Sequence, residues 1–232
     1  MTQQTTTQQQ TQTNPNGISP PISTTQTWKL YTLSDAYLPR SPVTYAVERV
    51  IEIPSLNVLY GAPSSLKSFI LADLVMCMAM GMQWLQQPLH MGLPVTLKKP
   101  TAKMVTQCAI LWVDFDNGLR RTPERFDMLG KGHKAPDDAP IYYTSMASPP
   151  LMLNDKKSVQ YLTTLIKLLD VKVVVIDNLG TVTGAKVDEN SADMVQIMYN
   201  LRKIVEETQT AIIIIHHQRK ANGFKTRMGE TL

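Results

Sequence analysis

The chain has 232 residues, of which 43% are hydrophobic and 18% charged, and this composition excludes a wholly disordered protein and provides for one sizeable α/β core. The N-terminus lacks the basic and apolar regions of a secretory signal, and no apolar run is long enough to span a bilayer, so we expect a cytoplasmic protein with no membrane partner. The formal net charge of +4 is compatible with nucleic-acid binding but does not establish it.

Residues 1–27 carry no charged side chain and consist mostly of Thr, Gln, Ser, Asn and Pro. Such a tract cannot bury enough apolar surface to offset its ordering entropy, so we predict a disordered tail. The folded domain is then residues 28–232, with residues 28–55 as a lead-in rich in prolines and aromatics and residues 83–107 as an irregular, Pro-rich insertion.

Apolar β-type segments alternate with helical segments along the rest of the domain. The predicted strands are 56–60, 108–113, 141–144, 171–176 and 211–215, and the predicted helices are 67–82, 122–129, 155–169 and 191–208. This alternation predicts a parallel sheet covered by helices on both faces. Cys77 and Cys108 fall in apolar segments without a CxxC spacing, which predicts buried free thiols.

A glycine-opened loop joins the first of these strands to the first helix. Its sequence is Gly61-Ala62-Pro63-Ser64-Ser65-Leu66-Lys67-Ser68, one residue away from the phosphate-binding pattern GxxxxGK[ST], since Leu66 replaces a glycine. Backbone N–H groups in such a loop attract phosphate oxygens. Lys67 can then reach the β- and γ-phosphates, and the Ser68 hydroxyl can ligate Mg²⁺. The alternative is a solvated Gly-Pro-Ser turn.

Two strands end in carboxylates. Asp177 follows the run Val173–Ile176, where an acidic residue can help to hold Mg²⁺, although it can also begin a turn. Asp114 and Asp116 follow the strand 108–113, where a carboxylate can polarise the water that attacks a γ-phosphate. We favour Asp116 as the base, oriented by Asp114; the alternative is a turn and cap for the next helix.

The last predicted strand runs into polar and basic residues. A histidine there, His217 or His216, can sense a γ-phosphate, while the alternatives are a structural histidine or, less favoured, a zinc ligand. The basic residues that follow are candidates for contacts with DNA or with a neighbouring subunit: Arg219, Lys220, Lys225 and Arg227. Their alternative is a solvated basic loop. For Arg120, Arg121 and Arg125 we expect a solvated helix face.

These motifs together resemble the RecA-type P-loop ATPases, and among them the AAA-family ATPases similar to RepA-like hexameric replicative helicases. The resemblance covers about residues 45–232 and is carried by the segments 60–68, 111–118, 174–178 and 215–220. It implies an α/β, RecA-like P-loop NTPase fold with a mostly parallel central sheet flanked by helices. It also implies ATP and Mg²⁺ as cofactors and a homo-oligomeric ring or filament.

Carried over residue by residue, the resemblance makes 61–68 the Walker A loop and Asp177 the Walker B acid. It makes Asp116 the position usually held by a catalytic Glu, and His217 or His216 the sensor, followed by a loop that can touch DNA. Leu66 and the shorter Asp116 depart from the family pattern, which implies weaker nucleotide binding or slow hydrolysis. The chain ends where the family continues with further strands, as expected of a C-terminally truncated fold.

The first functional hypothesis is therefore an Mg-dependent ATPase of nucleic-acid metabolism, a helicase-like motor acting on single-stranded DNA. The second is a regulatory ATPase switch that controls a protein partner without moving DNA. The third is a module that binds nucleotide and barely hydrolyses it. DNA-stimulated turnover distinguishes the first hypothesis from the other two.

Overall fold

The computed structural model describes residues 29–85, 103–183 and 192–217. The predicted tail and most of the predicted insertion lie outside these residues. The chain divides after Ser41 into two compact units. In the first, a single helical turn, α1 (Leu33–Ala36), begins with a capping box in which the Asp35 carboxylate accepts bonds from the backbone N–H and the hydroxyl of Thr32, each 2.7 Å long.

The second unit contains a five-stranded sheet in which every neighbouring pair of strands is parallel. Its spatial order is β3-β7-β6-β4-β5. The strands are β3 (Ser55–Gly61), β4 (Ile110–Asp114), β5 (Ile141–Ser145), β6 (Val173–Asp177) and β7 (Ala211–His217). The predicted parallel sheet is thus confirmed, and every strand has its carboxyl end at the same edge.

Helices follow the strands as the alternation predicted. They are α2 (Lys67–Met80), α3 (Gly118–His133), α4 (Lys156–Leu168), α5 (Leu179–Val182) and α6 (Ala192–Thr208). Helix α3 is eight residues longer than the prediction 122–129 and contains Pro123 in its second turn, where proline removes one helical hydrogen bond because it has no N–H. The short α5 was not predicted from the sequence.

Branched side chains alternate between the two faces of the sheet and build one core on each face. Trp112, Val175 and Ile213 pack with α2 and α3, together with Phe126 and Leu129 of α3. On the opposite face, side chains of β4, β6 and β7 pack with α4, α5 and α6: Leu111, Val113, Val174, Ile176, Ile212 and Ile214. The two cores therefore hold α2 and α3 on one face of the sheet and α4, α5 and α6 on the other.

An antiparallel hairpin precedes the sheet within the same unit. It consists of β1 (Thr44–Val47) and β2 (Ile51–Ile53), and its residues Ala46, Val47 and Ile51 are buried in the core shared with α2. The hairpin lies in the predicted lead-in, residues 28–55, where scattered aromatics and prolines show no clear alternation of apolar and polar residues. Among the described helices, none combines the length and the apolarity needed to cross a membrane.

Candidate nucleotide-binding site

The loop between β3 and α2 has a left-handed backbone at the position where the sequence departs from the phosphate-binding pattern. Leu66, immediately before α2, has a φ of 62°, in the left-handed region. Ser64 lies there too, with a φ of 59°. Glycine is favoured at such positions because it has no Cβ. The Leu66 side chain is 67% exposed, so it meets little obstruction, and the strain resides in the backbone.

Lys67 is buried and bonded to its own loop. Its Nζ donates to the carbonyl oxygens of Gly61 and Ala62, at 3.0 and 2.6 Å, and lies 3.4 Å from Ser65 Oγ. The Ser65 hydroxyl in turn donates to Ala62 O at 2.8 Å. A buried ammonium needs such acceptors. These carbonyls therefore hold the charge at the start of α2.

The register of the sheet brings the predicted strand-end residues together at its carboxyl edge. Asp114 pairs with Asp177 across β4 and β6, and Gly61 pairs with His217 across β3 and β7. Ligands of open parallel sheets bind at this edge. The loop, both strand-end carboxylates and the histidine thus border one region.

Asp114 is fully buried and its carboxylate is saturated with hydrogen bonds. Oδ1 accepts from the backbone N–H groups of Asp116 and Asn117, at 2.9 and 3.0 Å. Oδ2 accepts from the Thr122 hydroxyl and from Asn117 Nδ2, the latter at 3.0 Å. Asp114 therefore fixes the turn into α3.

Asp177 is also buried, and its charge is less well compensated. Asn117 Nδ2 donates to its Oδ2 at 3.1 Å, and Arg125 Nη1 lies 4.0 Å from the same atom. Its Oδ1 is buried, and no described group hydrogen-bonds to it. Burial raises the pKa of Asp177 from 3.8 to about 6; the charges of Asp114 and Asp116 add to this, while the Ser68 hydroxyl and Arg125 oppose it. A cation here would favour the ionised form.

Asp116 differs from both buried carboxylates, because its side chain is 43% exposed and faces the end of β7. Its Oδ2 lies 3.4 Å from His217 Nε2. His217 Nδ1 is buried and has no hydrogen-bond partner among the described residues. His216 points to the other side of the strand, where its ring lies 5.4 Å from that of Tyr60. Of the two histidines, His217 is therefore the one beside Asp116.

A family model described as "AAA domain" matches residues 25–223, which is most of the chain. The chain belongs to the AAA domain family of P-loop ATPases. None of the curated proteins compared with the chain matches it. The family supports nucleotide binding, while the assignment of that binding to the loop 61–68 and the more specific likeness to RepA-like helicases remain predictions.

Three residues of this AAA domain site were not assigned a role from the sequence: Asn117, Thr122 and Arg125. Arg125 was expected on a solvated helix face, and that was wrong: its side chain is only 16% exposed and its Nη2 donates to Asn117 Oδ1 at 3.2 Å. Arg120 does lie in solvent, paired with Glu124 at 2.6 Å. The missed signal is helical spacing, since Thr122, Arg125 and Leu129 share one face both of the predicted helix 122–129 and of α3.

The basic candidates Arg219, Lys220, Lys225 and Arg227 lie outside the described residues. The described chain stops at His217, which ends β7 beside Asp116. Their contacts with DNA or with a neighbouring subunit therefore remain predictions from the sequence.

Proposed function

We propose that this AAA domain protein is an Mg-dependent ATPase of nucleic-acid metabolism that acts on single-stranded DNA as a helicase-like motor, in a homo-oligomeric ring or filament. The observation that carries the ATPase part is the arrangement at the carboxyl edge of the sheet. There a phosphate-type loop, a buried carboxylate short of partners and an exposed carboxylate beside a histidine border one region.

Nucleotide binding rests on the loop and on Lys67. The backbone N–H groups of the loop 61–68, which Pro63 lacks, and the positive end of the α2 dipole favour phosphate oxygens. Lys67 exchanges its carbonyl partners for the β- and γ-phosphates, a stronger set because both partners are charged. This exchange keeps the ammonium satisfied before and after ATP binds.

The residues present fit an Mg²⁺ ion. Asp177 carries a buried carboxylate oxygen with no described partner, and the Ser68 hydroxyl is near enough to act on its pKa. Hard oxygen donors are the ligands that Mg²⁺ takes, usually with substrate phosphates and water. Ser68 and Asp177 would hold the ion, whose chemistry is to neutralise charge on the phosphate oxygens.

Hydrolysis is assigned to Asp116 as the general base. A water oxygen attacks the γ-phosphorus, the bond to the β–γ bridging oxygen breaks, and the water proton passes to the Asp116 carboxylate, giving ADP and phosphate. Asp114 is unsuited to this role because its lone pairs are already engaged. Asp116 is exposed, and among the described residues its Oδ2 lies 3.4 Å from His217 Nε2.

Coupling to DNA rests on His217. It contacts the proposed base and immediately precedes a segment with four basic residues within ten positions, 218–227. A shift of His217 when the γ-phosphate leaves would pass directly into that segment. Basic side chains give salt-dependent binding to a phosphate backbone, and Phe224 can stack on a base.

The deciding experiment is steady-state ATP turnover of the full-length gene product with and without single-stranded DNA. The motor predicts turnover that DNA stimulates severalfold. Turnover without stimulation supports the regulatory switch instead, and tight binding without turnover supports the nucleotide-binding module.

A matched pair of charge reversals tests the DNA contact. Arg219→Glu with Lys220→Glu should weaken binding to single-stranded DNA and flatten its salt dependence. Lys172→Glu is the control, because Lys172 precedes β6 at the opposite edge of the sheet and pairs with Asp170. Equal binding by both variants would contradict a DNA contact through the segment after β7.

A further inference from the structure

A second cluster of ligand-type side chains lies away from the nucleotide site, between α2 and α3. Asp73 and Cys77 are one helical turn apart on α2, so they share a face. His133 is the last residue of α3. One ligand atom from each of the three side chains lies within 4.8 Å of the other two. Nothing in the proposed ATPase mechanism uses these residues.

The carboxylate of Asp73 is held so that one oxygen is directed at the histidine. Trp84 Nε1 donates to Asp73 Oδ2 at 3.1 Å, while Oδ1 lies 2.7 Å from His133 Nε2. Trp84 is itself fixed by two backbone hydrogen bonds with Lys103, at 2.9 and 2.7 Å. An outer donor that orients a carboxylate in this way is typical of metal sites.

The three donor types select the kind of cation. Thiolate, imidazole and carboxylate together suit Zn²⁺ and similar borderline-soft ions, whereas Mg²⁺ and Ca²⁺ prefer oxygen alone. With metal–ligand distances of about 2.0–2.3 Å, tetrahedral ligands lie roughly 3.4–3.6 Å apart. Because the three atoms are already within 4.8 Å, shifts of about 1 Å complete that geometry.

We propose that Asp73, Cys77 and His133 bind a zinc-type divalent cation that joins α2 to the end of α3. The fourth position is open to water, since Asp73 and His133 are both partly exposed. On binding, the Cys77 thiol releases its proton to solvent, and the proton shared by His133 and Asp73 is lost or moves to the other ring nitrogen. The competing account is a simple His–Asp hydrogen bond beside an inert thiol.

The state of Cys77 shows what the cation must overcome. Burial raises the pKa of this thiol to about 11, and the charge of Asp73 adds to the rise. Without metal the side chain therefore stays protonated and unreactive at neutral pH. A coordinated cation reverses both effects, because a ligating thiol is deprotonated outright.

A cation at this site would affect the relative movement of α2 and α3, because both helices begin at the proposed nucleotide site. Helix α2 begins with Lys67 and Ser68 in the phosphate loop, and α3 begins beside Asp116 and carries Arg125 towards Asp177. A cation that joins these helices farther along would limit their relative movement. It should therefore raise the melting temperature by preferential binding to the native state.

Cobalt titration of the full chain, without nucleotide and in excess Mg²⁺, tests the site directly. The expected result is one Co²⁺ per chain with a thiolate-to-cobalt charge-transfer band that added Zn²⁺ removes. Cys77→Ala should abolish the band and the Zn²⁺-dependent rise in melting temperature. Cys108→Ala is the matched control, since Cys108 is the other free cysteine and lies outside the cluster.

Two further variants keep the test independent of any folding defect in Cys77→Ala. His133→Gln and Asp73→Asn should each weaken Zn²⁺ binding at least tenfold, measured by competition with a chelator. Asp127→Asn, an exposed carboxylate of α3 paired with Lys131, should not. A cobalt complex without a thiolate band, or zinc affinity unchanged in His133→Gln, would overturn the proposal.

Discussion

The phosphate loop and the turn between β4 and α3, residues 115–117, lie at the same edge of the sheet but are held in different ways. The loop is held by hydrogen bonds that a ligand can replace, from Lys67 to the loop carbonyls. Its backbone is also strained, because Leu66 has a left-handed conformation. The turn is held by contacts that no ligand needs to break, since Asp114 is buried and accepts from Asn117 and Thr122.

Under the proposed function, this difference corresponds to two separate tasks, phosphate binding in the loop and placement of the base by the turn. In a loop that encloses phosphates, the Lys67 ammonium can exchange its carbonyl partners for phosphate oxygens. Part of the loop's order then comes from the bound nucleotide. A turn that must position a base relies on a fixed anchor, so that the reacting carboxylate is placed before substrate arrives. Substitutions in the loop should therefore affect mainly binding, and substitutions in the turn mainly stability or turnover.

The largest effect is expected at Lys67. Lys67→Ala should abolish measurable ATP binding, because each charge-assisted hydrogen bond it makes to phosphate contributes about 1.5–3 kcal/mol. Calorimetric titration of Mg-ATP measures this. Lys131→Ala, which removes an exposed lysine paired with Asp127, is the control. Unchanged affinity in Lys67→Ala would refute the assignment of the loop to phosphate binding.

The next effect is a pH dependence from Asp177. Its pKa is raised to about 6 in the fold, so its favourable contribution to stability is present below about pH 4 and is lost as the pH rises through 6. Mg-ATP binding needs the ionised carboxylate, so affinity should fall about tenfold per pH unit below 6. In Asp177→Asn the affinity, weak throughout, should lose this part of its pH dependence. Parallel pH profiles for both proteins would contradict the metal role.

A smaller effect, on stability, distinguishes the two aspartates of the turn. Asp114→Asn leaves buried donors unsatisfied, which costs about 1–3 kcal/mol. The melting temperature should drop by several degrees. Asp116→Asn, at an exposed position, should change stability by less than about 0.5 kcal/mol. Equal melting temperatures for the two variants would show that Asp114 does not anchor the turn.

The smallest effect is expected at Leu66. Leu66→Gly relieves a left-handed backbone that costs a non-glycine residue about 1–2 kcal/mol, but it also loosens the unfolded chain. The balance should leave stability within about 1 kcal/mol and ATP affinity equal or a few-fold higher. Leu66→Ala is the matched control, because it shortens the side chain without freeing φ. A large loss of affinity in Leu66→Gly alone would mean that the leucine packs against the nucleotide.

The periodic parts of the fold could be predicted from the sequence, and the contacts between distant segments could not. Branched runs such as Val173–Ile176 fix a buried parallel strand, and Lys67 and Ser68 are recognisable at a helix start. The spatial order of the strands depends on packing that a linear pattern does not contain. Arg125 lies within the predicted helix 122–129, but its contacts with Asn117 and Asp177 depend on tertiary packing that the helical pattern does not contain.

The hydrogen bond between Asp73 and His133 could not be predicted from the sequence for a similar reason, since the two residues are 60 positions apart. Their approach depends on α2 packing against α3 on one face of the sheet. Residues 44–53 formed a hairpin where the sequence gave no alternation, because tertiary packing of Ala46 and Val47 outweighed weak local preference.

The most direct test of the proposed site is single-turnover hydrolysis of Mg-ATP by Asp116→Asn, with nucleotide affinity measured on the same sample. The account predicts affinity close to that of the natural chain and hydrolysis slower by about 10²-fold or more, the scale of a positioned general base. Hydrolysis at the natural rate in Asp116→Asn, with a folded Asp114→Asn variant inactive, would contradict it and transfer the catalytic role to Asp114.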